Sequence, residues 1–595
     1  MKKSRVVFAI VLAVVSVLVL ATMMVSVYAT TGNTTEFAGG SGTQAYPYLI
    51  KTKEHLNNVR IYPNAYFELK NDIEFTEEDF EEDGAFYNDG FGWEPICGGS
   101  KFSGFFDGNG YSIIGYQIYD ATTEYVGLFG YVSGSIENLI VDGTIDMYVT
   151  SSTVYVGGVC GYLTGTIENC QNNVTIYSTE TVSSSTYIDS KVNIGGVVGY
   201  SVGTIDSCVN QGSIYVAPSP IDYSNLYGYV GGITGYNAKG VISNCENKGT
   251  VEVYDKPIAG LDRYSYYYLG GVGGYSTGTV NSCNNSGEIS VNNPSTTNNA
   301  NYSYRYIGGI LAYSNKEINN CSNMGRVHSM GAFAYAGGIV AENTGSIKNS
   351  NNLALISGMR HNPKTYSGWL YTYVAGIAGE SSGSIDACYN TGEVQWSRTG
   401  ASEPVYTGGI SGYSTSNISN CYNVATIMAG MYYGDSGGIV GESKGNISSC
   451  YDIGSSGYRC GIAGFTSNLT NNCFYLDYAI FGTTVRDVAV ACSPKQLQEQ
   501  STFVGFDFEK TWVMSTEDAY PLPVLRNNPH VTLLEENTID FSGGRGTPFD
   551  PYIIKNAEQL NNIRNYPNSH FALANDIVFD ENYNWVSIPK VLHSF

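Results

Sequence analysis

Residues 229–254, YVGGITGYNAKGVISNCENKGTVEVY, decide the fold. They hold two short motifs. The first, VGGITGY (230–236), sets a glycine pair among β-branched residues. The second, GVISNCENKG (240–249), fixes the spacing of Ile242, Cys245 and Asn247, and Val251 follows two positions after its last glycine. Both pieces are too short for helices and too rich in Gly and β-branched residues, so each reads as short strands joined by turns. The first motif recurs as VGLFGY (126–131), VGGVCGY (156–162), IGGVVGY (194–200), LGGVGGY (269–275), IGGILAY (307–313), AGGIVAE (336–342), VAGIAGE (374–380), TGGISGY (407–413), SGGIVGE (436–442) and CGIAGF (460–465). With the copy first quoted that makes eleven, most of them about 30 to 38 residues apart, a period characteristic of solenoids.

One such period cannot bury its apolar side alone. Stacking periods in register does, and that predicts an all-β fold, a right-handed parallel β-helix with three short strands per coil. At about 4.8 Å per coil, the repeats alone make a rod of roughly 50 Å. In-register stacking turns each motif position into a ladder. Ile167, Ile205, Ile242, Val280, Ile318, Ile347, Ile385, Ile418 and Ile447 form an aliphatic one. Cys170, Cys208, Cys245, Cys283, Cys321, Ser350, Cys388, Cys421 and Cys450 form a thiol one, with Leu139 at its start. Leu and Ser in that slot mark it as a buried structural position rather than a metal site. Coil spacing makes disulfides along it sterically marginal, so these thiols are expected to be reduced. Asn172, Asn210, Asn247, Asn285, Asn323, Asn352, Asn390, Asn423 and Asp452 form an amide ladder, in which donor and acceptor on each side chain can bond along the rod.

Residues 1–29 carry Lys2, Lys3 and Arg5 before an apolar run that ends at Ala29, the pattern of a signal peptide or N-terminal anchor. An extracellular or cell-surface location follows, with membrane contact only through this segment if it is uncleaved. The net charge of −23 excludes nucleic acid as a natural partner, because phosphates would repel it.

The repeats resemble the GLUG-motif family of bacterial cell-surface and secreted proteins, through Gly127-Leu128-Phe129-Gly130 and the later GGI-x-G-Y copies. FSGFFDGNGYSIIGYQI (102–118) looks like the opening coil of such arrays, and SPKQLQEQSTFVGFDFEKTWVM (493–514) like their closing segment. The resemblance implies an adhesin-like β-helix on the cell surface and no single activity. The chain divides into an N-terminal cap and opening coils (37–120), repeats (121–475), a closing segment (476–526) and a second start (540–595). Within the cap, a short helix is expected over 51–59 and a first strand in 66–75. The closing segment, a helix at 493–501 followed by a strand at 508–514, is expected to plug the far end. Residues 541–579 match 37–75 at 23 of 39 positions without gaps, which reads as the start of a second, truncated β-helix module.

Catalytic constellations are not apparent. The six His form no H-E-x-x-H helix, and SGGIVGES (436–443) is one repeat copy rather than a nucleophile elbow. No cofactor or metal is expected, and the acidic run at 77–83 reads as a solvated loop. The chain is therefore expected not to be an enzyme; the alternative is a polysaccharide-acting lyase or hydrolase, which would need charged side chains converging in one groove. The end of the first motif lines up Tyr131, Tyr162, Tyr200, Tyr236, Tyr275 and Tyr313, in a slot that also takes Glu342, Glu380 and Glu442. A second column precedes the glycine pair at Tyr229, Tyr268, Tyr306, Tyr335, Tyr373 and Tyr406. Glu in the first column implies exposure. Two readings stand side by side: cross-coil packing that stabilises the sheet, or a strip that binds glycans or cell-surface proteins, each ring covering one sugar face.

Overall fold

The structure is a computed structural model that describes residues 36–119, 123–149, 153–180, 190–218, 226–254, 264–292, 302–330, 333–361, 371–399, 404–429, 435–454, 460–477, 489–517, 520–531, 540–544, 546, 551–566, 569–579 and 585. The N-terminal segment 1–29 lies outside them. Among the described residues no helix is long and apolar enough to cross a membrane.

The chain is a parallel β-helix. The coil that contains the quoted stretch shows the plan, with strands Leu226–Gly231, Thr234–Asn237, Val241–Ser243, Glu246–Asn247 and Val251–Tyr254. These strands lie on four sheets, called here the GG, GY, Ile and Asn faces, the last carrying two strands per coil. Three strands per period is therefore too few. Two features split the coil further. The glycine pair breaks the first motif in two. A left-handed residue breaks the second: Asn138, Asn169, Ser207, Asn244, Ser282, Asn320, Asn349, Ala387, Asn420, Ser449 and Asn472 all have φ between 46° and 55°. Asn tolerates that region better than other L residues, which explains why Asn so often precedes the ladder Cys.

Register follows the expected ladders. Ile205 pairs with Ile242, Ile242 with Val280, and Asn210 with Asn247. Each ladder Asn from 172 to 423 donates through Nδ2 to Oδ1 of the next coil at 2.7–2.8 Å, ending on Asp452. Most of these amides also donate to a carbonyl two residues on, as Asn247 does to Gly249 at 2.8 Å. The amides are fully buried, and paired amides avoid the cost of an unsatisfied polar group. The same contact explains the glycine pair. A Cβ built on Gly158, Gly196, Gly232, Gly271, Gly309, Gly338, Gly376 or Gly409 would lie 1.9–2.3 Å from the facing Asn side chain. The second glycine of each pair is the space the amide ladder occupies.

None of the thirteen cysteines forms a disulfide, and all but Cys460 are buried. Ladder thiols point to carbonyls two residues back, as Cys245 does to Ser243 at 3.1 Å. Burial pushes the Cys160 and Cys321 thiols up.

At the N-terminal end the helix is Lys53–Asn58, capped by Thr52, and it runs into a 3-10 turn at Val59–Ile61. Tyr48–Ile50 is the first strand, ahead of that helix, and pairs in parallel with Tyr66–Leu69, which pairs with Phe105–Asp107 to start the Ile face. The acidic run forms a 3-10 turn at Glu77–Phe80, with Asp79 paired to Lys53 and Phe80 buried.

The closing segment has a four-residue helix, Pro494–Leu497, with a Ser493/Gln496 capping box, and a hairpin of Trp512–Met514 with Pro523–Leu525. It lies along the flank rather than across the end. Leu497, Phe503, Phe506, Trp512, Tyr520 and Leu522 pack outside the Asn face against Tyr389, Tyr422, Tyr451 and Phe474. These outward aromatics appear only on the late coils, where they give the segment an apolar bed. Residues 541–579 repeat the cap: Tyr552 pairs with Phe571 and Ile554 with Leu573, the register of Tyr48 with Phe67 and Ile50 with Leu69, and Ala557–Asn562 is its helix.

Candidate functional site: the tyrosine face

Alternation along the GY face leaves one side chain per coil pointing out. That position is half-buried, while its neighbours are buried. Tyr131, Tyr162, Tyr200, Tyr236, Tyr275 and Tyr313 occupy it on six successive coils, in direct register. Glu342, Glu380, Tyr413, Glu442 and Phe465 continue the column. The second column, on the GG face, runs through Tyr229, Tyr268, Tyr306, Tyr335, Tyr373 and Tyr406, also in register. Beyond an interruption at Asn193, Tyr155 and Tyr125 hold the same position on earlier coils, and Tyr227, Tyr266 and Tyr304 form a third column beside it.

The rings are packed together. From Tyr162 to Tyr313 the centroids are 4.2–5.1 Å apart and the planes within 21° of parallel. The first two columns interlock edge to face, as in Tyr229 against Tyr236 at 5.2 Å and Tyr268 against Tyr275 at 5.5 Å. Each stacked ring therefore spends its faces on its neighbours, and solvent meets edges and hydroxyls. The idea that each ring covers one sugar face is corrected by this geometry: the surface offers a band of phenol edges and O–H groups, suited to hydrogen bonding over an apolar bed. Burial raises the hydroxyl pKa of Tyr162, Tyr200 and Tyr236, and pushes Tyr155 and Tyr229 up to about 12. These phenols stay protonated as donors.

The break in the column carries the charge. Glu342 and Glu380 sit on adjacent coils, among Tyr306, Tyr335 and Tyr373. Burial raises both carboxyls, and the neighbouring Glu342 helps to lift Glu380 to about 7. Farther along, Lys444 Nζ donates to the Tyr413 hydroxyl at 2.8 Å and lies 5.2 Å above its ring. No cluster of three or more metal-ligating side chains occurs among the described residues.

The model of the GLUG motif matches residues 227–252, which is the coil first quoted. A protein of Evansella cellulosilytica, provisionally named a Gly-rich membrane protein, is 42% identical over 112 residues, which is 18% of this chain and 12% of that protein. The chain thus aligns with only a small part of that relative. A crystal structure from Bacteroides ovatus, provisionally described as an immunoglobulin A1 protease, aligns with 58% of this chain and 87% of its own at 19% identity and a TM-score of 0.31, a likeness too slight to carry an argument. The matched motif is one turn of a coil that the structure repeats in register along the rod, and the chain is a repeat protein that carries the GLUG motif in that coil.

Proposed function

We propose that the chain is a non-catalytic, surface-exposed or secreted repeat protein that uses its tyrosine face for adhesion or ligand display, with a glycan or a cell-surface protein as partner. The observation that carries this reading is the unbroken, half-buried tyrosine column on six coils, in a slot where Glu is also accepted. A core slot would not take Glu, and a merely solvated one would not need six aromatics. The charged and apolar N-terminal residues support export, and the name of the Evansella relative supports a place at the cell envelope. A repeating band gives weak contacts per coil that sum along the rod.

Replacing Tyr236, Tyr275 and Tyr313 together with Ser tests it. Attachment to cells or to a glycan array should fall by about tenfold or more, with the circular dichroism unchanged. Unchanged attachment with a lower melting temperature would make the column purely structural.

A second reading, a polysaccharide hydrolase, rests on the Glu342 and Glu380 pair, since carboxyls on adjacent coils with one lifted to about 7 are an acid–base arrangement. Reducing-sugar release that Glu380→Gln abolishes would favour it over the non-catalytic reading.

A further inference from the structure

One register position links the open part of the rod to its closed part. On the outside of the Asn face, the residue after the ladder Cys forms a column that runs Gln171, Val209, Glu246 and on through Asn351, Tyr389 and Tyr422. The left-handed corner residues run alongside it. On the late coils this corner is filled by the chain itself. Asn528, buried, donates through Nδ2 to the carbonyls of Ser350 at 3.1 Å and Ala387 at 3.0 Å, and its Oδ1 accepts from Asn351 Nδ2 at 2.9 Å. The Tyr389 hydroxyl donates to the Pro529 carbonyl at 2.9 Å and accepts from the Val531 amide at 3.1 Å. The stretch of chain that leaves the turn at Arg526 and Asn527 is thus held by two carbonyls, one column amide and one hydroxyl.

On the early coils the same corner is an open groove of ≈ 420 Å³, lined among others by Asn138, Ile140, Asn169, Gln171, Ser207 and Val209. The positions correspond one to one. Cys170 and Gln171 stand where Ser350 and Asn351 do, and Ser207 and Val209 stand where Ala387 and Tyr389 do. The two carbonyls and a column amide are therefore present again. Val209 and Ile140 replace the tyrosine bed with a smaller apolar floor, and the lining side chains are uncharged.

We propose that this groove binds an uncharged stretch of a partner polypeptide that carries a side-chain amide, seated between the Cys170 and Ser207 carbonyls as Asn528 is seated between those of Ser350 and Ala387. The partner is a peptide rather than a sugar because the occupied half of the same corner holds a peptide by its backbone and one Asn.

The probe is a synthetic peptide of the sequence of residues 527–531, NNPHV, carrying an N-terminal photo-crosslinker, mixed with the full chain. Saturable binding is expected, with cross-links within 138–209. Val209→Arg, which fills the groove from a half-buried surface position, should weaken it about tenfold or more at an unchanged melting temperature. Should Val209→Arg fail to fold, Gln171→Ala is the replacement and should weaken binding in the same direction. Cross-links confined to 351–451, affinity indifferent to both substitutions, or saturable binding of a neutral oligosaccharide there with none of the peptide would each overturn the proposal.

Discussion

Asn247 donates to Asn285 and to Gly249, accepts from Asn210, and fills the space that Gly232 leaves. Gly232→Ala would put a methyl 2.1 Å from Asn247 Oδ1 and should destabilise the protein by about 3 kcal/mol or more. Asn247→Ala breaks two links of the ladder and should cost about 2–3 kcal/mol. Because both changes act on one contact, the double variant should cost clearly less than the sum, by about 1 kcal/mol or more, in denaturant titrations. Strict additivity would mean that glycine and amide do not meet. The amide ladder was legible because every repeat shows it at one offset. Its bond to the glycine pair was not, since the two motifs meet only when the coil closes. The left-handed corner was visible as an excess of Asn before Cys, but Ser207, Ser282, Ser449 and Ala387 hold the same conformation and blur the signal.

At the scale of elements, the closing segment shows what periodicity cannot supply. Its helix and strand, expected over 493–501 and 508–514, form in shorter pieces at Pro494–Leu497 and Trp512–Met514, whereas its place on the flank depends on Tyr389, Tyr422 and Tyr451, which only the fold brings into one stack. His530 lies in that contact, with Nδ1 3.0 Å from the Tyr422 hydroxyl and its ring stacked on Tyr520 at 3.9 Å. Burial lowers its pKa to about 4, below the ordinary 6.5. The folded state therefore resists protonation that the released segment accepts. Stability from this group is complete above pH 6.5 and is lost as pH falls towards 4, by up to about 3 kcal/mol. Hydrogen exchange of residues 520–531, corrected for intrinsic rates, should quicken over that window, and His530→Gln should flatten the dependence. Equal pH dependence in both proteins would place the origin elsewhere.

For the whole molecule, the repeats made the β-helix and its ladders legible, and the duplicated cap at 541–579 was visible as sequence identity and returns as an identical strand register. The tyrosine face was legible as columns. Its surface chemistry was not, because the stacking that hides the ring faces depends on how two columns on different sheets interlock. The groove on the early coils escaped for the same reason: its lining is drawn from separate repeats, and its meaning comes from a segment more than 300 residues away in sequence. Everything above rests on one claim, that successive repeats stack coil on coil in a single register. A crystal structure of the protein tests it at Asn210, Asn247, Asn285 and Asn323. The account predicts Nδ2 to Oδ1 distances near 2.8 Å between consecutive members, on coils about 4.8 Å apart. Consecutive Cα atoms more than about 6 Å apart would contradict it.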